Sequence, residues 1–329
     1  MLLYVDVIDA CHLKCPTCAR GVRAFPNTPK KMSLSMFRDI VNKAVDDGAY
    51  KVDIFSWIEP FLCRNLHEYI TIVKNAGLPC GVSSTLSLRN INQFESAICA
   101  MDTLTISISG FEQKIYEINH VGGRIEWVKQ NLERLGELKR SGAASVNATL
   151  RMLMFDYNRG EEPKLRALAE SVGIGFEVLL AEGHPVRLPQ SREGEAEVLT
   201  RMHEFSPNRP HESTGEVCPL IFEHVTINAD GDVYQCTAYG NFEVMKIGAF
   251  LELTREEVLL RRYTHPVCNS CPWSRRAVAP LEMVLLQQAM AARLGEQIVN
   301  RVPRLSTPVR HPVTTSDGFL VQKSKQFMK

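Results

Sequence analysis

Between residues 2 and 180 the chain alternates six short apolar, β-branched runs with five longer stretches that carry apolar residues at helical spacing. The runs 2–8, 51–55, 81–84, 104–107, 146–154 and 175–180 read as strands. The intervening segments 33–45, 66–75, 93–100, 112–139 and 164–171 read as helices. In the first of these, positions 34, 37, 40, 41, 44 and 45 are apolar, Ser33 is placed to cap the start, and Gly48 is placed to stop the helix. A strand followed by a crossover helix returns the chain parallel to itself, so the alternation argues for a parallel α/β sheet. Six units are too few to close an eight-stranded barrel. The expected fold class is α/β: a partial (β/α)6 TIM-type barrel followed by a small α+β domain.

The texture changes after residue 180. Residues 181–217 are polar and rich in Pro, Glu and Arg, and read as a connector with one helix near 194–203. Residues 222–228 and 233–236, joined through Asp230 and Gly231, read as a β-hairpin. A strand at 244–247, a helix at 254–262 and a second helix at 280–299 follow. The expected division is a barrel over 1–205, a small second domain over 206–300, and a tail over 301–329.

Charge excludes some classes of function. The 329 residues carry 38 basic and 37 acidic side chains, a net charge of +1, with no basic stripe for nucleic acid and no polybasic segment for anionic lipid. The longest helix-like apolar stretch, 281–294, is interrupted by Glu282, Gln287 and Gln288, so no membrane span is expected. The N-terminus lacks the features of a signal peptide, and a cytoplasmic location is expected. Ten cysteines in a chain this long do not suggest a disulfide scaffold, and most of them fall into two groups, as metal ligands do.

The first group is Cys11-x3-Cys15-x2-Cys18, directly after the first strand and at the end of the array where such folds place their sites. Three thiolates hold three irons of a cubane and leave the fourth open for chemistry. A zinc site completed by His12 is the blander reading, but His12 lies between two of its partners, which makes a tetrahedral site awkward. The spacing after an opening strand resembles the signature of the radical S-adenosylmethionine (radical SAM) superfamily, over about residues 1–180. That resemblance implies a [4Fe-4S] cluster whose open iron binds the amino and carboxylate groups of SAM. It also implies reductive cleavage of SAM to a 5′-deoxyadenosyl radical, which abstracts a hydrogen atom from substrate.

Further runs carry the resemblance. Ser56-Trp57-Ile58-Glu59-Pro60 is similar to the family's Gly-Gly-Glu-Pro with both glycines replaced, which makes Glu59 a SAM contact. Ser83-Ser84-Thr85 resembles a Ser-Thr-Asn run, with Leu86 in place of Asn. Ser107-Ile108-Ser109-Gly110 resembles a Ser-x-Asp-Gly run, with Ser109 for Asp, and puts Ser107 near the ribose and carboxylate of SAM. Arg151 is placed to grip that carboxylate with its guanidinium fork. Ordinary strand and loop chemistry is the alternative for each.

The second group is Cys218, Cys236, Cys268 and Cys271. Four thiolates close a cubane completely, and Gly231 to Cys236 resembles the Gly-x4-Cys element of Twitch and SPASM auxiliary-cluster domains. With no cysteine after Cys271, one auxiliary cluster is expected, two [4Fe-4S] clusters in all; a four-cysteine zinc ribbon is the alternative. Cys63, four residues after Glu59, is a candidate hydrogen donor to a substrate radical, weighed against a packed free cysteine, the reading also given to Cys80 and Cys99. Trp57 is a candidate pocket wall. The expected function is oxidation or epimerisation of a small polar, sugar- or aminocyclitol-like metabolite of natural-product biosynthesis, with an external electron donor such as flavodoxin or ferredoxin. The alternatives are a maturase acting on a precursor peptide and a non-catalytic zinc- or cluster-binding module.

Overall fold

The structure is a computed structural model and describes residues 1–18, 20–21, 29–180, 220–237, 245–263 and 265. Its first half follows the expected alternation: β1 (Leu2–Val5), α1 (Leu34–Asp46), β2 (Lys51–Ile54), α2 (Leu66–Asn75), β3 (Cys80–Ser84), α3 (Phe94–Ala100), β4 (Thr103–Ile108), α4 (Gln113–Asn119), α5 (Ile125–Arg140), β5 (Asn147–Met154), α6 (Glu162–Ser171) and β6 (Gly175–Leu180). All neighbours from β1 to β6 pair in parallel, in chain order. The fold is therefore the α/β partial barrel expected.

Local chemistry explains the elements. Ser33 caps α1 by accepting the Met36 N–H at 3.1 Å. Phe37, Ile40, Val41 and Ala44 of that helix are buried, whereas Val45 stays exposed. The single helix expected over 112–139 is two, because His120 to Arg124 leave the helical path, where Val121 meets the loop after β1. Gly122 makes that possible through its φ of +88°, a left-handed conformation that residues with a side chain resist.

On β4 and β5, Leu104, Ile106, Ile108, Ala148, Leu150 and Met152 are buried under the helices. The alternate positions Thr105, Ser107, Thr149, Arg151 and Leu153 are half-buried and face the concave side. The sheet thus has one apolar face, which is the core, and one polar face, which lines the barrel lumen.

The second half adds α7 (Leu220–Glu223), β7 (His224–Ile227), β8 (Asp232–Tyr234), β9 (Lys246–Ala249) and α8 (Arg255–Tyr263). The hairpin is as expected, with Asn228 holding its turn through the N–H groups of Asp230 and Asp232. Its attachment is not foreseen by the sequence: β7 pairs in parallel with β1 from Leu2↔His224 to Val5↔Ile227. The order is β6-β5-β4-β3-β2-β1-β7-β8-β9, so among the described residues β1 is an interior strand and the barrel wall stays open. The helices expected near 194–203 and 280–299 and the tail over 301–329 lie outside the described residues. No described helix is long and apolar enough to cross a membrane.

Candidate active site

The loop carrying Cys11, Cys15 and Cys18 leaves the C-terminal end of β1, and its position is set by backbone bonds. At its base Met32 N–H donates to the Val7 carbonyl (3.0 Å) and Asp9 N–H to the Lys30 carbonyl (2.7 Å). Across its top Lys14 N–H donates to Val121 (2.9 Å), and Thr17 Oγ1 donates to Asn119 Oδ1 (2.7 Å). Cys18 N–H turns back to the Cys15 carbonyl at 3.1 Å, and a Cβ on Gly21 would sit 2.1 Å from that carbonyl oxygen, so only glycine lets the loop close.

All three thiols are half-buried and near one another. Burial, then the Glu59 carboxylate, pushes the Cys11 thiol up to about 12; burial, then its neighbours Cys18 and Cys11, raises Cys15; burial raises Cys18 as well. Such thiols need a strong local cation to ionise. Among the described residues no three His, Cys, Asp or Glu side chains converge on a single metal ion.

Glu59 sits beside this loop, 1% exposed. Its N–H donates to the Ala10 carbonyl at 2.9 Å. Its Oε1 accepts from Ser84 Oγ (2.7 Å) and Phe61 N–H (3.3 Å), and its Oε2 from Thr85 N–H and Thr85 Oγ1, both at 2.9 Å. The turn after β3 is pinned further by Asn131 of α5, whose Nδ2 donates to the carbonyls of Leu86 (2.9 Å) and Leu88 (2.8 Å). Leu86 needs that support, because its φ is +52°, a conformation in which Asn is better tolerated than a branched apolar residue.

A second buried carboxylate, Asp6, follows β1 and is 1% exposed. Trp57 N–H lies 3.2 Å from both of its oxygens. Burial raises its pKa to about 7, against Arg20 and the backbone of Trp57 and Ser56, which favour the charged form. Arg20 itself is paired with Asp9. Behind the cysteine loop, His120 stacks on Tyr116 (4.6 Å, planes 1° apart) and its Nδ1 lies 2.6 Å from Ser109 Oγ. Burial, then the nearby His12, lowers His120 to about 3, so it is a neutral imidazole at all ordinary pH.

Residues 5–168 match the Radical SAM superfamily. The chain carries a radical SAM domain. The fold agrees with solved radical SAM structures: Streptococcus suis SuiB bound to S-adenosylmethionine (15% identity, TM-score 0.55, covering 76% of this chain and 63% of that one). SuiB bound to the precursor peptide SuiA is similar at 14% identity and a TM-score of 0.58, over 86% and 72% of the two chains. Native anSMEcpe with bound AdoMet is similar at 11% identity and a TM-score of 0.54, over 91% and 98%. The chain spans 63% of the length of the SuiB chain in the first of these comparisons. No curated protein sequence matches it.

A [4Fe-4S] cluster and SAM are what a radical SAM domain implies, and the residues present fit them. The thiols of Cys11, Cys15 and Cys18 would be the donors. Along the rim after β2, Ser56 Oγ and Trp57 Nε1 are buried without a hydrogen-bond partner, as the wall of a polar ligand site would be. The other residues expected to contact SAM lie elsewhere on the lumen wall. Ser107 and Arg151 face the lumen on adjacent strands at one register. Arg151 Nε donates to Glu177 across β5 and β6, so the carboxylate it meets here is the protein's own.

Cys63 is a different matter. It is 2% exposed within the apolar core, its Sγ lies 3.5 Å from Asn65 Oδ1, and burial raises its pKa. That is the setting of a packed thiol, not of one open to a substrate radical. Cys80 is fully buried and Cys99 exposed.

Of the second cysteine group, Cys236 is described, half-buried just past β8; Cys218, Cys268 and Cys271 lie outside the described residues. The neighbour of Cys236, Gln235, is held by Arg262 of α8, a side chain 1% exposed. Its Nε donates to Gln235 O (3.1 Å), its Nη1 to Ile221 O (2.8 Å) and His224 O, and its Nη2 to Leu220 O (2.9 Å). Asp6, Asn131, His120 and Arg262 escape sequence reading, since each is a lone polar residue with no motif spacing around it.

Proposed function

We propose that this chain is a radical SAM enzyme acting on a small polar substrate, with a second cluster in its C-terminal part. The observation that carries the enzyme reading is the three-thiol loop at the C-terminal end of β1, within a domain matching the superfamily. In it Cys11, Cys15 and Cys18 hold the SAM-binding cluster, which with bound SAM supplies the 5′-deoxyadenosyl radical. The chain's own residues position and enclose. The loop is fixed by the bonds of Lys14, Thr17 and Glu59, and the Ser56–Trp57 rim is held by Asp6. The polar lumen wall, with Thr105, Ser107, Thr149 and the Arg151–Glu177 pair, favours a substrate rich in hydroxyl or charged groups. Cys218, Cys236, Cys268 and Cys271 are proposed to hold the auxiliary cluster as a Twitch-type domain. That cluster suits a net oxidation by accepting the substrate radical's second electron. With Cys63 packed in the core, epimerisation would need another hydrogen donor.

Peptide modification is the second reading, favoured by the likeness to SuiB in its complex with the precursor peptide SuiA. Anaerobic reconstitution followed by iron counting and a 5′-deoxyadenosine assay tests the proposal. About eight irons per chain and SAM cleavage under strong reductant are expected. About four irons would remove the auxiliary cluster, and absence of cleavage would remove the enzyme.

A further inference from the structure

We propose that Glu59 is a positioning residue that locks the cluster loop to the turn after β3, and that its carboxylate is not the group that receives the amino group of SAM. The inference rests on the radical SAM reading above. A carboxylate offers about four lone-pair positions, and the protein fills them: Ser84 Oγ and Phe61 N–H on Oε1, Thr85 N–H and Thr85 Oγ1 on Oε2. The direction of the two hydroxyl bonds is fixed. Ser84 Oγ also accepts the Leu86 N–H at 2.9 Å, and Thr85 Oγ1 accepts the Ser87 N–H at 3.4 Å, so the single proton of each hydroxyl goes to Glu59. Residues 84 to 87 are thus wound around one buried carboxyl group, with Leu86 held in its left-handed conformation. From the same residue the N–H reaches the carbonyl of Ala10, next to Cys11. An ammonium group arriving at Glu59 would have to displace one of these donors inside a site that is 1% exposed, and a displaced donor would be left unpaired. The carboxyl group of Glu59 therefore organises the protein.

The test uses the full chain, reconstituted anaerobically, as Glu59→Gln, Thr85→Val and wild type. Thr85→Val removes one donor to Glu59 and leaves the carboxylate in place. Three quantities are read: iron bound, the EPR spectrum of the reduced cluster without SAM, and the Kd for SAM from the spectral change on its addition. A positioning role predicts that both variants alter the SAM-free spectrum or lower iron occupancy in the same sense, with the smaller effect in Thr85→Val. It also predicts that the clusters which do form in Glu59→Gln bind SAM within about threefold of wild type. The proposal is overturned if Glu59→Gln loads iron normally, has the wild-type SAM-free spectrum, and weakens SAM roughly tenfold or more. A wild-type protein whose spectrum ignores SAM would instead sink the radical SAM reading, and the SAM-free spectra would still decide whether Glu59 positions the loop.

Discussion

Buried polar side chains around the cysteine loop fall into two kinds. The Glu59 carboxylate is surrounded by hydrogen-bond donors, whereas His120 is left neutral by losing its proton altogether. The second kind has a pH signature. With a folded pKa of about 3 and an unfolded value of 6.5, His120 takes up a proton on unfolding anywhere between those limits. The unfolded state then binds more protons, so stability is full above pH 6.5 and falls as pH drops below it. Between pH 7.5 and 5 this costs about 2 kcal/mol. Urea denaturation of the cluster-free chain at both pH values should show that loss shrinking in His120→Gln, which keeps a hydrogen-bonding group beside Ser109; an unchanged pH slope would refute the assignment. At this scale the sequence was legible where residues come in motifs. Cys11, Cys15 and Cys18 stand out by their spacing, and Glu59 by its likeness to a family motif. Asn131 is not, because one amide on a helix reveals nothing until the carbonyls of Leu86 and Leu88 are seen within its reach. Arg151 was read as a grip for the carboxylate of SAM, and its pairing with Glu177, on a strand 26 residues away, was not foreseen.

At the scale of elements, strand and helix starts were readable from periodicity, and the misreadings have a cause. The break between α4 and α5 exists to hold the cysteine loop, a tertiary demand that helical spacing does not record. Arg262 makes a similar demand on the C-terminal elements, joining α7, the start of β7, the residue after β8 and its own helix α8. Arg262→Met would keep much of the volume but leave four carbonyls without their donor. A loss of at least about 3 kcal/mol is expected, since bonds to a buried charged donor are worth more than neutral ones. Chemical denaturation measures it, and faster alkylation of Cys236 in the folded variant would report the displaced strand end. A change below about 1 kcal/mol would mean that other contacts hold these elements.

For the whole molecule, the parallel barrel wall was legible because alternation dictates it, and the joining of β7 to β1 was not, because no local pattern encodes which edge a distant hairpin will choose. A chain stopped at Leu180 would expose the N–H and C=O groups of β1 along an apolar strand. It should self-associate, as light scattering after size exclusion would show; a well-behaved monomer would mean that β1 tolerates an open edge. The same pairing has a consequence in time. Leu2 leaves the ribosome more than two hundred residues before its partner His224. At synthesis rates of about 5–20 residues per second, the strand that carries the cysteine loop waits on the order of ten to forty seconds for its second neighbour. Whatever delivers iron and sulfide to the nascent chain during that interval meets Cys11, Cys15 and Cys18 on a half-built scaffold.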